Sequence, residues 1–277
     1  MSIDFNQQII EEFRANRGHV GGPFEGARLL LLTTTGARTG AQRTVPLGYL
    51  HDGGGRLLVI ASAAGAPHHP AWYHNVLADP QVTVETGVFT FRAGAVVLEG
   101  EERDRVFARA AEADPGWADY QARTTRTIPV VALNPLEGGP NAEPLGDALK
   151  TIHDAFRHEL TLIRKEVAAS GPGLGAQLRI NCLTVCEGLH HHHSVEDGQM
   201  YPFLDEHHPE LAATLVRLRQ EHQAIKRLLD ELQELVAAED ADPAVVLTEV
   251  ERLTTELEDH LDYEEEHLIP VLNAVVF

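Results

Sequence analysis

The sequence predicts an α+β protein of two domains, a small β-barrel or roll followed by an antiparallel four-helix bundle. The chain of 277 residues has the length of two ordinary domains. Short apolar runs of strand length fill the first half, whereas apolar residues at helical spacing fill the second. A stretch rich in proline and glycine separates the halves, so we expect domains at residues 1–134 and 147–277 and a linker at residues 135–146.

The first domain is expected to consist of short strands with few helices. Val, Leu, Ile and Thr dominate the strand candidates, and the small number of helices favours a barrel or roll over alternating βαβ units. Helical spacing predicts helices over residues 3–17, 71–77 and 101–113. The strand candidates are residues 29–33, 45–50, 57–61, 82–85, 88–91 with 96–98, and 129–133.

The second domain is expected to be helical throughout. Apolar residues recur every three or four positions over residues 145–168, 174–205, 209–238 and 243–271, with proline or glycine at each break. Four helices of this length with short connections form an antiparallel bundle. Cys182 and Cys186 share a helix face at this spacing, and a disulfide framework is not expected.

Charge is distributed unevenly along the chain, whose net charge is −20. Residues 1–140 carry 12 Arg and no Lys against 15 acidic residues, a net charge of −3, and the remainder carries 10 Lys and Arg against 27, a net charge of −17. An acidic half with 11 of the 16 histidines repels nucleic acid and anionic membranes but not metal cations. Without an 18-residue apolar run or a secretion signal, the chain is predicted to be cytoplasmic, with no stable membrane insertion.

The second domain repeats one pattern of metal-binding side chains. A His-x-x-x-Glu motif with a proline ten residues after the His occurs twice, 68 residues apart, and a lone His precedes each motif at matching positions. His and Glu four apart share a helix face, and two such pairs with two further His converge as ligands do in di-iron helix bundles. Imidazole with carboxylate favours iron, manganese or zinc over calcium or magnesium. The expected ligands are His153, His192, Glu196, His222, His260 and Glu264.

A second ligand set has the Glu-x-x-His spacing of ferritin-like carboxylate sites. It requires single glutamates from the first and third helices and does not use the matched lone histidines or the shared proline position. This alternative comprises Glu187, His190, Glu264 and His267 with Glu159 and Glu221.

The repeated motifs resemble those of the hemerythrin family in its HHE cation-binding form, over about 130 residues. The resemblance implies two iron ions joined by an oxo or hydroxo bridge. Hemerythrins proper carry a second His on the third helix, four residues from the first, where this sequence has Leu218 and Lys226. The resemblance therefore implies fewer protein ligands and an open coordination position, which favours reaction with oxygen, peroxide or nitric oxide over reversible oxygen carriage.

The segment Thr33–Gly40 of the first domain joins hydroxyls, a cation and two glycines in a turn after a strand. Such a turn can hold a phosphate through backbone N–H groups and Arg38, or it can be an ordinary hairpin turn. Neither a P-loop nor a nucleophilic triad is present in the sequence, so catalysis here would come from a bound cofactor.

Several ordered motifs of residues 5–134 resemble the deazaflavin-dependent nitroreductase family. They are LLLLTTTGARTG from Leu29, RTVPL from Arg43, VIAS from Val59, HPAWYHN from His69 and PGWADYQART from Pro115. The resemblance implies a flavin-reductase-like split β-barrel, coenzyme F420 and a homodimer. By the resemblance, the phosphate and acidic tail contact Arg38, Thr39 and Arg43, the ring contacts Pro46, Leu47, Ala61 and Ser62, the groove contains Trp72 and Asn75, and Tyr120 and Thr124 face the substrate.

The two resemblances together imply a deazaflavin-dependent oxidoreductase coupled to a non-haem di-iron centre. We expect electrons to pass from reduced F420 to oxygen, peroxide, nitric oxide or a small organic substrate. In the alternative, the bundle senses oxygen, nitric oxide or iron and gates an independent quinone or nitro-compound reductase.

Overall fold

The computed structural model describes residues 2–275. Its contacts divide the chain after Asn141 into two compact units. The first unit is a barrel with helices, and the second is a helical bundle, as the sequence predicts.

Six antiparallel strands close the barrel in the order β1-β2-β3-β6-β5-β4, with β4 returning to β1. Helices α1 to α4 occupy Ser2–Ala15, Ala71–Ala78, Gly100–Ala113 and Gly116–Ala122. The last of these helices is not among the sequence predictions, because its seven residues are too few for a periodic pattern. The strands are β1 Leu29–Thr35, β2 Gln42–His51, β3 Leu57–Ile60, β4 Gln81–Glu85, β5 Phe89–Val97 and β6 Val130–Pro140.

The continuous leucine run of β1 follows from burial on both faces of the strand. Leu30 and Leu32 belong to the core inside the barrel, whereas Leu29 and Leu31 pack with apolar residues of α1 such as Phe13. Because neighbouring residues of a strand point to opposite faces, a strand covered on both faces needs no polar alternation.

The linker predicted at residues 135–146 is wrong over residues 135–140, which belong to β6 and pair with the start of β5. Glycines such as Gly138 made this segment resemble a linker, but Gly138 is required by a strand contact. A Cβ there would lie 2.3 Å from the carbonyl oxygen of Thr90, so the close approach of the two strands requires glycine. The two runs predicted together at residues 88–91 and 96–98 correspond to the single strand β5, with an irregularity between Arg92 and Ala93.

Four long helical segments form the bundle, each packed against two others in the cycle α5–α6–α8–α9. The second segment is continuous through a wide π-type turn at Glu196–Met200, where α6 gives way to α7. Among the described residues, no helix is long and apolar enough to cross a membrane. The helices are α5 Leu145–Ala169, α6 Ala176–Val195, α7 Tyr201–His207, α8 Ala212–Ala237 and α9 Pro243–Leu272.

Candidate metal centre and cofactor site

The four predicted histidine ligands meet in two pairs inside the bundle. The Nε2 atoms of His153 and His192 lie 3.1 Å apart, and those of His222 and His260 lie 3.2 Å apart. Each pair joins one lone histidine, from α5 or α8, to one histidine of a His-x-x-x-Glu motif, from α6 or α9. All four side chains are nearly inaccessible to solvent.

The two predicted glutamates lie between the histidine pairs and make matching contacts. Glu264 Oε2 lies 3.4 Å from His153 Nε2, and Glu196 Oε2 lies 3.4 Å from His222 Nε2. Glu196 Oε1 also lies 3.0 Å from His192 Nε2, within its own motif. The structure thus brings all six predicted ligands together. Each of the two carboxylates lies near histidines from both halves of the repeat.

Outer carboxylates fix the orientation of three of the four imidazoles. The Nδ1 atoms of His153, His222 and His260 each lie 3.0 Å from a carboxylate oxygen. When Nδ1–H donates to a carboxylate, Nε2 presents its lone pair inward, and metal-bound histidines are held in this way. The three carboxylates are Glu265, Asp197 and Glu221 respectively.

Burial keeps the inward-facing histidines neutral. It lowers the pKa of His153 and His192 to about 4 and that of His260 to about 4, and it lowers the pKa of His222 to about 2, with the neighbouring histidines adding to the effect. The pKa of Glu265, in contrast, falls to about 2: burial raises it, but hydrogen bonds from His153 and Arg157 outweigh that effect.

The two inner glutamates lack the partners that a buried carboxylate needs. Glu196 and Glu264 are 2% and 0% exposed, and burial raises the pKa of both well above the usual value. Neither oxygen of Glu196 accepts a hydrogen bond, nor does Oε2 of Glu264. Neutral imidazoles with inward lone pairs around carboxylate oxygens that lack donors fit bound metal cations, which would supply the missing partner.

Two further residues at this centre were missed by the sequence analysis. His193 is buried beside His222, with its ring stacked at 4.2 Å. Tyr201 donates a 2.8 Å hydrogen bond to Glu264 Oε1. Tyr201 lies five positions after Glu196, a spacing that leaves two residues on different faces of an α-helix, and the intervening π-type turn brings them together. The signal for His193 was its place in the run His190–His193.

The ferritin-like alternative is not assembled in the structure. Glu187 is exposed on α6, and His190 Nε2 lies 3.2 Å from Asp230. His267 Nδ1 contacts the carbonyl oxygen of Tyr263, and its ring packs on that tyrosine. These side chains are committed to contacts outside the buried ligand cluster.

In the first unit, Arg38 and Thr39 of the turn between β1 and β2 are exposed to solvent, as is Arg43 near the start of β2. Its backbone amides do not form the expected phosphate cradle, because five of them already donate within the unit. They are the N–H groups of Gly36, Ala37, Thr39, Gly40 and Ala41. An anion at this turn would therefore be held by the side chains of Arg38 and Arg43, for which the described residues provide no ion-pair partner.

Asn75 supports this turn from beneath. Its side chain accepts a hydrogen bond from the Ala37 N–H and donates one to Thr34 Oγ1. Asn75 is 8% exposed, so it positions the turn.

The predicted ring-lining residues Ala61 and Ser62 precede a left-handed turn. Ala63, Ala64 and Gly65 all have φ near +50° to +80°, a conformation that is costly for the two alanines. The Arg126 guanidinium holds this turn by donating to the carbonyl oxygens of Ala61, Ser62 and Ala66 at 2.5–3.2 Å.

The predicted catalytic residues lie next to this turn: Tyr120 is beside Gly65, and Thr124 is beside Arg126. The Tyr120 carbonyl oxygen would lie 2.8 Å from a Cβ at Gly65, so α4 packs directly against the glycine. Thr124 Oγ1 accepts a hydrogen bond from the Arg126 N–H. The Tyr120 ring is half-buried and packs edge-on against Trp117.

Trp72 lies in the barrel core, and its expected role in shaping a cofactor groove stays a prediction. Its side chain is 6% exposed and belongs to the core inside the barrel, which is the common position for a tryptophan at an apolar helix–sheet contact. Leu47 also packs against this core, and Pro46, its neighbour in β2, faces the opposite side of the sheet. The two side chains therefore lie on opposite faces of β2, and the contact of this segment with the ring stays a prediction.

Comparison with known proteins separates the same two units. Residues 6–135 match the model of the F420H(2)-dependent quinone reductase family, and residues 145–272 match the hemerythrin HHE cation binding domain. An F420H(2)-dependent quinone reductase of Mycobacterium tuberculosis is 38% identical over 125 residues, which are 44% of this chain and 83% of that protein. The chain belongs to the F420H(2)-dependent quinone reductase family.

Two solved structures are similar to the reductase part of this chain. An F420-H2 dependent reductase is 42% identical, with a TM-score of 0.36, covering 39% of this chain and 94% of its own. A second, described as a domain-swapped dimer, is 38% identical, with a TM-score of 0.38, covering 48% of this chain and 97% of its own. The two family matches and the Mycobacterium tuberculosis relative identify the chain as an F420-dependent oxidoreductase carrying a hemerythrin-like cation-binding domain, as the sequence motifs predict.

An open groove of about 470 Å³ in the reductase unit contains none of the predicted cofactor residues. It lies beside His69, whose Nδ1 contacts the Arg126 guanidinium at 3.1 Å. Its other lining residues include Tyr73, Leu98, Arg103 and Pro129.

Proposed function

We propose that this chain oxidises reduced F420 and that its bundle holds a pair of iron ions through which oxygen, peroxide, nitric oxide or a small organic substrate is reduced. The observation that carries the iron pair is a set of three buried carboxylate oxygens that accept no hydrogen bond, both of Glu196 and Oε2 of Glu264, surrounded by four inward-facing imidazoles. Burial of this set without cations would leave its polar atoms unsatisfied.

The two histidine pairs, together with Glu196 and Glu264, would hold the two iron ions. Bound F420 in its reduced form supplies a hydride, and an iron pair accepts or donates two electrons, one per ion. Glu265, Asp197 and Glu221 would hold the ring proton of three of these imidazoles at Nδ1, so that Nε2 presents its lone pair to the metal.

In the reductase unit, Arg38 and Arg43 would pair with the phosphate and acidic tail of F420, with Thr39 as a hydroxyl donor. The segment Ala61–Ser62, fixed by Arg126, would contact the ring. The Tyr120 phenol can donate a hydrogen bond to negative charge that develops on a substrate, and Thr124 holds the backbone at Arg126.

The test is the oxidation of reduced F420 by the iron-loaded full chain, followed by absorbance with and without air. We expect the His192→Ala/His260→Ala double variant to lose oxygen-dependent turnover, because each iron loses one ligand. The control is His191→Ala/His207→Ala, which changes two exposed histidines. Equal turnover in the ligand variant would refute coupling, and altered regulation with retained turnover would favour the gated reductase.

A second arm tests the cofactor assignment separately. We expect Arg38→Ala/Arg43→Ala to raise the KM for reduced F420 about tenfold, or about 1.4 kcal/mol, and to lose the preference over a deazaflavin without phosphate and tail. Arg105→Ala, an exposed arginine on α3, is the matched control. An unchanged KM would exclude the turn as the tail site.

The homodimer stays a prediction, which the molar mass of the full chain measured by light scattering would test.

A further inference from the structure

We propose that His193 is a third histidine ligand of the metal ion held by His222 and His260, which makes the two metal positions inequivalent. This inference rests on the proposed metal pair. It concerns a residue that neither the repeated motif nor its spacing selects.

The internal repeat provides the reference for this inference. Residues of α6 and the turn after it correspond to residues of α9 that lie 68 positions later, and the symmetry is obeyed in atomic contacts. Asp197 contacts His222 Nδ1 at 3.0 Å, and its counterpart Glu265 contacts His153 Nδ1 at the same distance. The 3.4 Å contacts of Glu196 and Glu264 with the lone histidines are equally matched.

Polar residues without a polar counterpart gather at one metal position. His193 corresponds to Leu261, which is fully buried and apolar. Tyr201 corresponds to Ile269, and its hydroxyl lies 3.2 Å from His222 Nε2. Glu221, which contacts His260 Nδ1, corresponds to an isoleucine one position before His153. All three departures from symmetry therefore add polar groups around His222 and His260.

The geometry of His193 is that of a ligand to this position. Its ring stacks on His222 at 18° and meets His260 edge-on at 84°, with centroids 5.4 Å apart. One ligand nitrogen from each of the three histidines lies within 4.8 Å of the others. His193 is 5% exposed and its Nε2 has no hydrogen-bond partner. A buried imidazole nitrogen without a partner is expensive, and a shared cation removes that cost.

Hemerythrins proper carry a second histidine on the third helix, at positions where this chain has Leu218 and Lys226. His193, a ligand from α6, would take the place of that histidine. The open coordination position inferred from those residues would then belong to the ion held by His153 and His192. A small exogenous ligand is expected to bind on that side of the pair.

The experiment titrates Co²⁺ anaerobically into the metal-free full chain, with a competing chelator, and records the d–d absorption and the bound stoichiometry. Wild type is expected to bind two ions. His193→Leu installs the residue that the repeat itself uses at Leu261, so the fold should tolerate it. We expect one ion to bind with wild-type affinity and the other at least tenfold more weakly, with an altered spectrum. His191→Leu, one position away and exposed, should behave as wild type.

The outcomes separate the two levels of inference. Two ions bound by His193→Leu with wild-type affinity and spectrum would overturn the role of His193 and leave the metal pair intact. Fewer than two ions bound by wild type would overturn the metal pair itself. If the leucine variant does not fold, His193→Gly is titrated with and without imidazole. Restoration of the second ion by imidazole supports ligation, and its failure in a folded variant refutes it.

Discussion

Replacement of one inner carboxylate should stabilise the metal-free protein and weaken the metal-bound one. Glu196 is 2% exposed and neither of its oxygens accepts a hydrogen bond. An unsatisfied buried polar group costs about 1–3 kcal/mol, and more when it is charged. In Glu196→Gln the amide can donate to the Nε2 atoms of His192 or His222, which lie 3.0 and 3.4 Å from the carboxylate. We therefore expect the free energy of unfolding of the metal-free bundle to rise by about 1–3 kcal/mol.

The gain should depend on pH in a defined direction. Burial raises the pKa of Glu196 in the folded state above its unfolded value of 4.5. A group of this kind destabilises the fold increasingly as pH rises above the unfolded pKa, because the unfolded chain loses its proton first. The advantage of Glu196→Gln should therefore grow from about pH 4.5 upward and vanish below it.

Differential scanning calorimetry of the full chain measures both effects. For a unit of this size, 1 kcal/mol shifts the midpoint by about 3–4 °C, so we expect a rise of about 3–12 °C without metal. The bundle transition is the one that added metal moves. With metal present the sign should reverse, because an amide is a poorer ligand than a carboxylate. Glu187→Gln, exposed on α6, is the control. Destabilisation of the metal-free protein by Glu196→Gln would refute the reasoning.

Arg126 in the barrel unit and Cys186 in the bundle each give a further prediction. Arg126→Ala should destabilise the barrel transition by about 2–3 kcal/mol, because carbonyl oxygens around the left-handed turn lose a charged donor; Arg126→Lys should recover only part, and an unchanged midpoint would show that the turn holds itself. Burial raises the pKa of the Cys186 thiol to about 12, which leaves roughly one thiolate in ten thousand at pH 8, so a thiol reagent should label Cys186 only after denaturation. Rapid labelling of the native protein would show that this part of the bundle opens.

Local periodicity was sufficient to predict most of the elements. The leucines of β1 and the four long helical segments appear where the sequence places them, because strand and helix periods are local properties of the chain. The failure at residues 135–140 has a non-local cause. Gly138 allows β6 to approach β5, and nothing in the segment itself distinguishes that use of glycine from a flexible linker.

Candidate metal ligands were predictable for a related reason. His and Glu four apart share a helix face, and a repeated helix pair brings two such faces together. Trp72 could not be placed in this way, because an aromatic residue at helical spacing fits a core and a cofactor groove equally well. The structure shows its contact with the barrel interior, and the groove role stays a prediction.

Two features were predictable from residue order alone: the division into a barrel and a bundle, and the six side chains that meet in the bundle core. Both depend on spacings within one helix or strand and on a repeat visible in the residue order. Three features needed the three-dimensional contacts. His193 and Tyr201 join that core, five backbone N–H groups of the β1–β2 turn already donate internal hydrogen bonds, and Arg126 holds the turn after Ser62. The physical reason is that these contacts depend on the wide turn after α6 and on groups distant in sequence, which no local pattern specifies.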